Sequence, residues 1–593
     1  MKYSVILILF SFLTVSCQQQ EPSKQLLTLF QNQVDTLDSK ILQLHAGIKA
    51  NESEKSVQLA FLDARLAYKG LEAICEFYFP SLSKSMNGAA IDEYEEEEGK
   101  VLPPEGFQVI ETYLFPRFQK EERNELIKES AILVSNMVRL QRVSESLVLS
   151  DANIFEAIRL ELIRITALGV SGFDAPIAQN SIDEAKTALD GIQLYLSFYI
   201  SKIEKKDSAL KNQLASQMGK SRQFLTSAKN FETFDRASFI ADGLNPLSSN
   251  ILILQNLLGI TGMPGTASLK LNYQHIFAPG VFNQQGFLAF AENENSEQKI
   301  ALGKLLFNEK RISSVRTRSC ADCHNSNKSF TDGLKIARTL VNKSPILRNT
   351  PTVMYAGYQR SLFYDSRVSY LEDQAVDVIQ NVNEMHGNMD DIVNFISTDK
   401  VLAKSYRIAF PDKNINSKGI LNALASYMRS LGNFSSKMDK FMNGDKKAFN
   451  QLELSGFNLY MGKAKCGTCH FMPLTNGTLP PMFDKSESEV LGVPNHLNKL
   501  DSDLGKYNAT KVDLHKHAFK TPTLRNIANT APYMHNGVYN TLEEVIDFYN
   551  KGGGNGLGFK LPNQTLPEDK LNLTDQEQKA LVAFMKTLTD EKY

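Results

Sequence analysis

The stretch Ser319-Cys320-Ala321-Asp322-Cys323-His324 returns later in the chain as Lys465-Cys466-Gly467-Thr468-Cys469-His470, and these two hexapeptides decide what fold is built around them. Each contains the pattern Cys-x-x-Cys-His, in which two thiols add to the vinyl groups of haem and the adjacent imidazole sits under the iron. The competing reading is a zinc site made from two Cys-x-x-Cys pairs. It fails on spacing, because the pairs begin at Cys320 and Cys466, far beyond the roughly 15–20 residues that separate the pairs of a zinc ribbon. Each motif closes a run that starts as a helix, LGKLLFNEKRISSVRTRSCADCH ending at His324 and SGFNLYMGKAKCGTCH ending at His470. The two runs form a weak internal repeat, as expected of two haem domains in series.

Working outward, the chain has 593 residues, 42% hydrophobic and 22% charged, with 65 basic residues against 66 acidic ones and a formal net charge of -1. Such a composition excludes a disordered chain and leaves room for three or four domains at ~150 residues each. The balanced charge points to no nucleic acid partner. Lys2 followed by the apolar run Val5 to Leu13 reads as an export signal. Thr14-Val15-Ser16-Cys17 resembles a bacterial lipobox, which predicts acylation of Cys17 and a protein held by lipid in the bacterial cell envelope, facing the periplasm. Past Cys17 no apolar run approaches the ~20 residues needed to span a bilayer.

The predicted fold is mainly α: a signal over 1–17, a helical bundle over 18–258, a Gly- and Pro-containing linker over 259–278, and cytochrome c-like haem domains over 279–444 and 445–593. In the bundle, Phe30, Val34, Leu37, Ile41 and Leu44 share one helix face. No strand is expected there, and the acidic run Glu95 to Glu98 reads as a solvated loop. Two helices are expected to open with capping boxes, Ser369-Tyr370-Leu371-Glu372 and Thr541-Leu542-Glu543-Glu544. The first carries Gln374 on the same stripe as Leu371, Ala375 and Val378, and the second carries Tyr549 on the stripe of Leu542, Val545 and Ile546. An amide or a phenol on an apolar stripe is either a satisfied core group or a hydrogen-bonding group in a closed pocket.

Over roughly the last 300 residues the chain resembles the di-haem cytochrome c peroxidase family, which includes the MauG enzymes. The resemblance rests on both haem motifs, Leu347-Arg348-Asn349-Thr350-Pro351-Thr352, Phe363-Tyr364-Asp365-Ser366-Arg367, Leu371-Glu372-Asp373-Gln374-Ala375, Asn383-Glu384-Met385, and FKTPTLRNIANTAPYMHNG from Phe519 to Gly537. It implies two covalently bound haem c groups, with hydrogen peroxide met at the His324 haem and Glu384 and Gln374 on its distal side. A proton must move from one peroxide oxygen to the other before the O–O bond breaks, which assigns Glu384 the acid/base role. Electrons are implied to come from a small donor protein, a cytochrome c or a cupredoxin, through the His470 haem. A calcium ion between the haems is implied at Asn349 and at the carbonyls of Thr530 and Pro532, oxygen donors that suit a hard cation.

Three departures from the family pattern carry weight. Tyr364 stands where the inter-haem aromatic is usually Trp, and the chain has no Trp at all. No histidine lies between Asn325 and Asn349, where reductively activated peroxidases carry a distal one, so the His324 haem is expected to be open unless His386 enters the pocket. Tyr549 aligns with the usual Met ligand of the second haem, as in MauG, with Met534 and His535 as alternative ligands. A phenol oxygen is a harder ligand than a thioether and lowers the potential.

The amino-terminal region resembles the imelysin-like family, through Asp63-Ala64-Arg65, Ile74 to Pro80, Gly106 to Glu111 and Phe173 to Gln193. Gln108 replaces the His of that family's GxHxxE pattern, which turns expectation for the domain from metal binding at Glu111 toward a structural or docking role. Three functions follow in order: a peroxidase reducing hydrogen peroxide to water, a MauG-like oxidase acting on a protein partner, and an iron- or haem-acquisition lipoprotein.

Overall fold

The computed structural model describes residues 21–95, 99–203, 207–340, 346–411 and 413–591. Cys17 and the signal segment lie outside the described residues, as do Glu96, Glu97 and Glu98 of the acidic run. Among the described residues, no helix is long and apolar enough to cross a membrane.

The architecture is mainly α, as the periodicity predicts. The bundle opens with the helix Pro22–Ala50, whose buried stripe is Leu26, Phe30, Val34, Leu37, Ile41 and Leu44. Asn51 ends it in the left-handed conformation, φ 58°, which Asn tolerates better than most residues. The helices Glu54–Lys69 and Arg123–Glu145 pack on it. The bundle interior also encloses charge. Arg65 meets Glu184 at 2.7 Å and also reaches Asn87, and Lys69 meets Asp174 at 2.6 Å and Glu72 at 2.7 Å. Breaking such a buried pair on one side costs about 3–5 kcal/mol, because the survivor stays charged in a dry interior.

One strand pair departs from the sequence expectation. Glu93–Glu95 and Lys100–Leu102 form an antiparallel hairpin, with Tyr94 opposite Val101. Its residues alternate no apolar face, so periodicity gives no sign of it. Tertiary contact holds it in place: Tyr94 lies edge-on to His515 of the second haem domain, ring centroids 5.6 Å apart.

The two haem halves repeat one packing device. In the first, the helix Glu297–Phe307 crosses Ser417–Arg429, and in the second, Gln451–Tyr460 crosses Asp575–Lys586. A β-carbon on Gly303 would collide with the carbonyl of Ala423, and one on Gly456 with the carbonyl of Ala580. Glycine therefore sets how closely each pair approaches, and it occupies corresponding places in LGKLLF and SGFNLY.

Segment 259–278 is strapped down rather than loose. Arg159 of the bundle donates to the carbonyls of Leu271 and Tyr273, while Thr266 and Ser268 donate to Met482 O and Phe483 O of the second haem half. The bundle also touches that half directly: Ala237 N donates to Asn458 Oδ1 at 2.9 Å, and Phe173 lies edge-on to Phe471 at 5.5 Å. The bundle thus backs the second motif.

Candidate haem sites

Each motif is held by local hydrogen bonds that leave its thiols and imidazole toward one cavity. Cys320–Cys323 is a single helical turn, opened by Ser319, whose N–H donates to Asp322 Oδ2 at 2.7 Å. His324 Nδ1 lies 3.0 Å from Phe330 O. A carbonyl only accepts, so Nδ1 carries the proton and the Nε2 lone pair is free for a metal. In the second motif His470 Nδ1 is placed the same way, 3.0 Å from Pro522 O and 3.3 Å from Thr475 O. Burial lowers the basicity of both rings, His470 to about 4, so both stay neutral as iron ligands must. None of the four cysteines is paired in a disulfide, which leaves their sulfurs for attachment to haem.

Both motifs line one continuous cavity of about 2880 Å³. Ordinary small-molecule sites run to roughly 300–1,000 Å³, so this space suits more than one large group. Its chemistry agrees: paired thiols and a neutral imidazole at each end, with Phe307, Leu371, Leu424 and Met428 among its apolar walls. These residues fit two covalently attached haems.

Beyond the first motif, Leu371, Gln374, Ala375 and Val378 all face the cavity from the helix Leu371–Gln380. The Gln374 amide makes no hydrogen bond to a described protein group. Glu384 joins it on the cavity wall, accepting from Asn381 Nδ2 at 2.9 Å, and burial pushes its carboxyl up to about 7 against the opposing pull of Arg367 and Arg318. Arg318, which sequence reasoning passed over, ties this loop to the motif by donating to the carbonyls of Glu384, Arg338 and Thr339. Its adjacency to Ser319 was the available signal. His386 is exposed and lies off the cavity wall, so it does not reach the first haem.

The capping box expected at Ser369 is absent. The helix starts one residue later than expected: Tyr370 is the cap residue and makes no side-chain cap bond, and Glu372 is bonded instead to Arg429 at 3.0 Å and to Asn422. The box at Thr541 does form and opens the helix Leu542–Asn550. From it Tyr549 faces the cavity beside Cys469 and Cys466, its phenol raised by burial and by those thiols, with no hydrogen bond to a described protein group. Of the alternatives, Met534 is on the cavity wall. His535 lines the same cavity, stacked on Phe519 at 3.8 Å with Nε2 3.5 Å from Asp501.

Between the halves, Tyr364 donates to Asn349 Oδ1 at 3.3 Å, and its carbonyl accepts from Lys520 N at 2.8 Å. Asn349 Nδ2 donates to Leu334 O, and Asn349 N to His535 O. Asn349, Thr530 and Pro532 line the same cavity. Among the described residues, no group of three or more His, Cys, Asp or Glu side chains is arranged to hold a metal ion, so a cation here depends on amide and carbonyl oxygens. Arg348 bridges the halves, bidentate to Asp503 at 2.6 and 2.9 Å and bonded to Asp365 at 2.6 Å.

Two attachment motifs in two helical halves that share one cavity define a di-haem c-type cytochrome. Comparison with known proteins gives the narrower class. The profile described as Di-haem cytochrome c peroxidase matches residues 297–447. Cytochrome-c peroxidase IdrP2 of Pseudomonas sp. (strain SCT) is 31% identical over 314 residues, spanning 49% of this chain and 81% of that one. Methylamine utilization protein MauG of Methylorubrum extorquens is 33% identical over 300 residues, spanning 50% of this chain and 80% of that one. A solved MauG-like protein associated with microbial copper homeostasis shares 30% identity with a TM-score of 0.45, covering 51% of this chain and 92% of that one. The chain belongs to the di-haem cytochrome c peroxidase family, whose members carry two haem c groups.

Proposed function

We propose that the protein reduces hydrogen peroxide to water at the His324 haem, with electrons from a small cytochrome c or cupredoxin arriving through the His470 haem. The observation that carries this reading is that one cavity is lined both by a carboxyl raised to about 7, Glu384, and by an amide with no hydrogen-bond partner among the described residues, Gln374. The bound haem supplies redox chemistry. Glu384 takes the proton from one peroxide oxygen and returns it to the other, so that the leaving oxygen departs as water. Gln374 orients the peroxide by hydrogen bonding, and Arg318 keeps the Glu384 loop in register with the motif. Tyr364, hydrogen-bonded to Asn349 between the halves, is the relay for electrons or holes. A calcium ion held by Asn349 and the carbonyls of Thr530 and Pro532 stiffens this junction.

In the same reading the chain is tethered in the bacterial envelope through Cys17, facing the periplasm. The imelysin-like bundle serves to dock and brace. Its Gln108 donates to Asn87 O, and Glu111 Oε1 accepts from the N–H groups of Ile177 and Ala178, bonds that tie both side chains to the bundle's own backbone. The test is stopped-flow absorption of the fully ferric protein mixed with stoichiometric peroxide, without prior reduction. An immediate change in the Soret band is expected; no change would overturn the open first site.

A second reading is favoured by Tyr549. If its phenol ligates the second haem, that haem suits oxidising equivalents better than high-potential electron entry, and the protein is a MauG-like oxidase that draws electrons from side chains of a protein partner. Accumulation of an oxidised state that decays only when a partner protein is added, and not with a small reductant protein, would favour it.

A further inference from the structure

The bundle and the haem halves bury several cations, and almost all are satisfied. Arg65 meets Glu184, Lys69 meets Asp174, and Arg525 meets Asp439 at 2.6 Å. Arg236, with no carboxylate, donates to the carbonyls of Val170, Phe234 and Phe231. Lys520 is the exception. It is 8% exposed, and among the described residues no carboxylate lies within 4 Å of its ammonium. An ammonium has three donors, and among the described residues the one acceptor for Lys520 Nζ is Gln359 Oε1 at 2.5 Å. A buried charge without a partner is costly, and burial lowers this ammonium to about 8 with no charged neighbour to offset it.

Its position says what is missing. Lys520 ends the strand Ala518–Lys520, paired with Ser488–Val490, and its N–H donates to Tyr364 O, which sets it at the junction of the two halves. The side chain lies on the wall of the cavity that the haem motifs share. Two residues further on, Pro522 supplies the carbonyl that orients His470, and the Lys520 charge is felt at that imidazole. Haem c carries propionate carboxylates, which are the anions that enter this cavity with the cofactor.

We propose that Lys520 is the counter-charge for a propionate carboxylate of the His470 haem, binding that haem at the domain junction and holding its potential up. The inference rests on attachment of haem at Cys466 and Cys469, and it is independent of the peroxide chemistry proposed above. A fixed positive charge beside the haem stabilises the reduced state, which carries one less positive charge.

The test is a redox titration of the di-haem protein, each haem followed by its own absorption and electron paramagnetic resonance signals. In Lys520→Met, similar in length but uncharged, the His470 haem becomes harder to reduce, with its reduction equilibrium shifted about tenfold, or about 59 mV for one electron. That shift shrinks on acidification, because the unpaired propionate then takes a proton. Lys520→Arg keeps the charge and stays near the wild type, and the His324 haem is unmoved in both variants. Unaltered potentials in a Lys520→Met protein that retains both haems would overturn the proposal, as would equal shifts in both variants or a shift confined to the His324 haem. Should Lys520→Met fail to assemble, the wild type decides: with carboxyl-13C-labelled haem, the redox infrared difference spectrum is expected to show an ionised propionate, and a protonated one overturns the assignment. None of these readouts involves peroxide, so failure here and failure of the peroxidase reading are told apart.

Discussion

The two haem pockets begin alike and end differently. Both present Cys-x-x-Cys-His from the end of a helix-led run, and both fix the imidazole through Nδ1 on a backbone carbonyl, Phe330 O in one and Pro522 O in the other. Around the first, the cavity wall carries Glu384 and Gln374; around the second, it carries Tyr549. Their backing differs too. His324 has Phe307 of its own half 6.4 Å away, whereas Phe471, next to His470, is packed by Phe173 of the helical bundle. The difference teaches that two like motifs are given unlike surroundings by side chains brought in from distant segments.

The strongest way to break this contrast is Glu384→Gln, a near-isosteric change that removes the acid/base function. It is expected to lower peroxide turnover by about 10²–10⁴ with both haems still attached, as read by pyridine haemochrome absorption. Unchanged turnover would remove the distinction between the pockets. The pH profile sharpens the same point. With Glu384 pushed up to about 7 by burial, the base form is lost as pH falls below that value. Turnover should then fall about tenfold per pH unit on the acid side, and Glu384→Gln should flatten that limb. A profile unaffected by the substitution would assign the limb to another group.

At the second pocket, Tyr549→Phe is expected to change the absorption and resonance spectra of the His470 haem and to move its reduction equilibrium by about tenfold, about 59 mV, without altering the His324 haem. An unaltered spectrum would return Tyr549 to the core. The smallest effect is expected from Phe173→Ala. Loss of the edge-on pair with Phe471 should cost about 0.5–1.5 kcal/mol beyond the area lost, measured by denaturant titration. Any spectral change should be confined to the second haem, and an equal change at both would deny that the bundle braces one pocket in particular.

The candidate site was legible in part. The haem thiols and imidazoles could be read from two pentapeptides, because attachment needs its ligands adjacent in sequence. Gln374 and Tyr549 could be read as inward-facing from helical spacing, and both do face the cavity. The same kind of local signal misled at Ser369, where Glu372 is drawn to Arg429 across 57 residues instead of closing a capping box. The Glu93–Glu95 hairpin was invisible, since its support comes from His515, far along the chain. Lys520 stood inside a quoted motif, yet its lack of a carboxylate partner is a fact of three dimensions alone.

By itself the sequence determined the di-haem class, the mainly helical fold and the family to which the chain belongs, because those depend on spacing and periodicity along the chain. Only the tertiary structure decided that both motifs open into one cavity, that His386 stays outside it while Glu384 lies on its wall, and that the bundle braces the second half. Those outcomes turn on which distant groups meet and which buried charges find partners, and desolvation makes such choices costly only once the chain has closed around them.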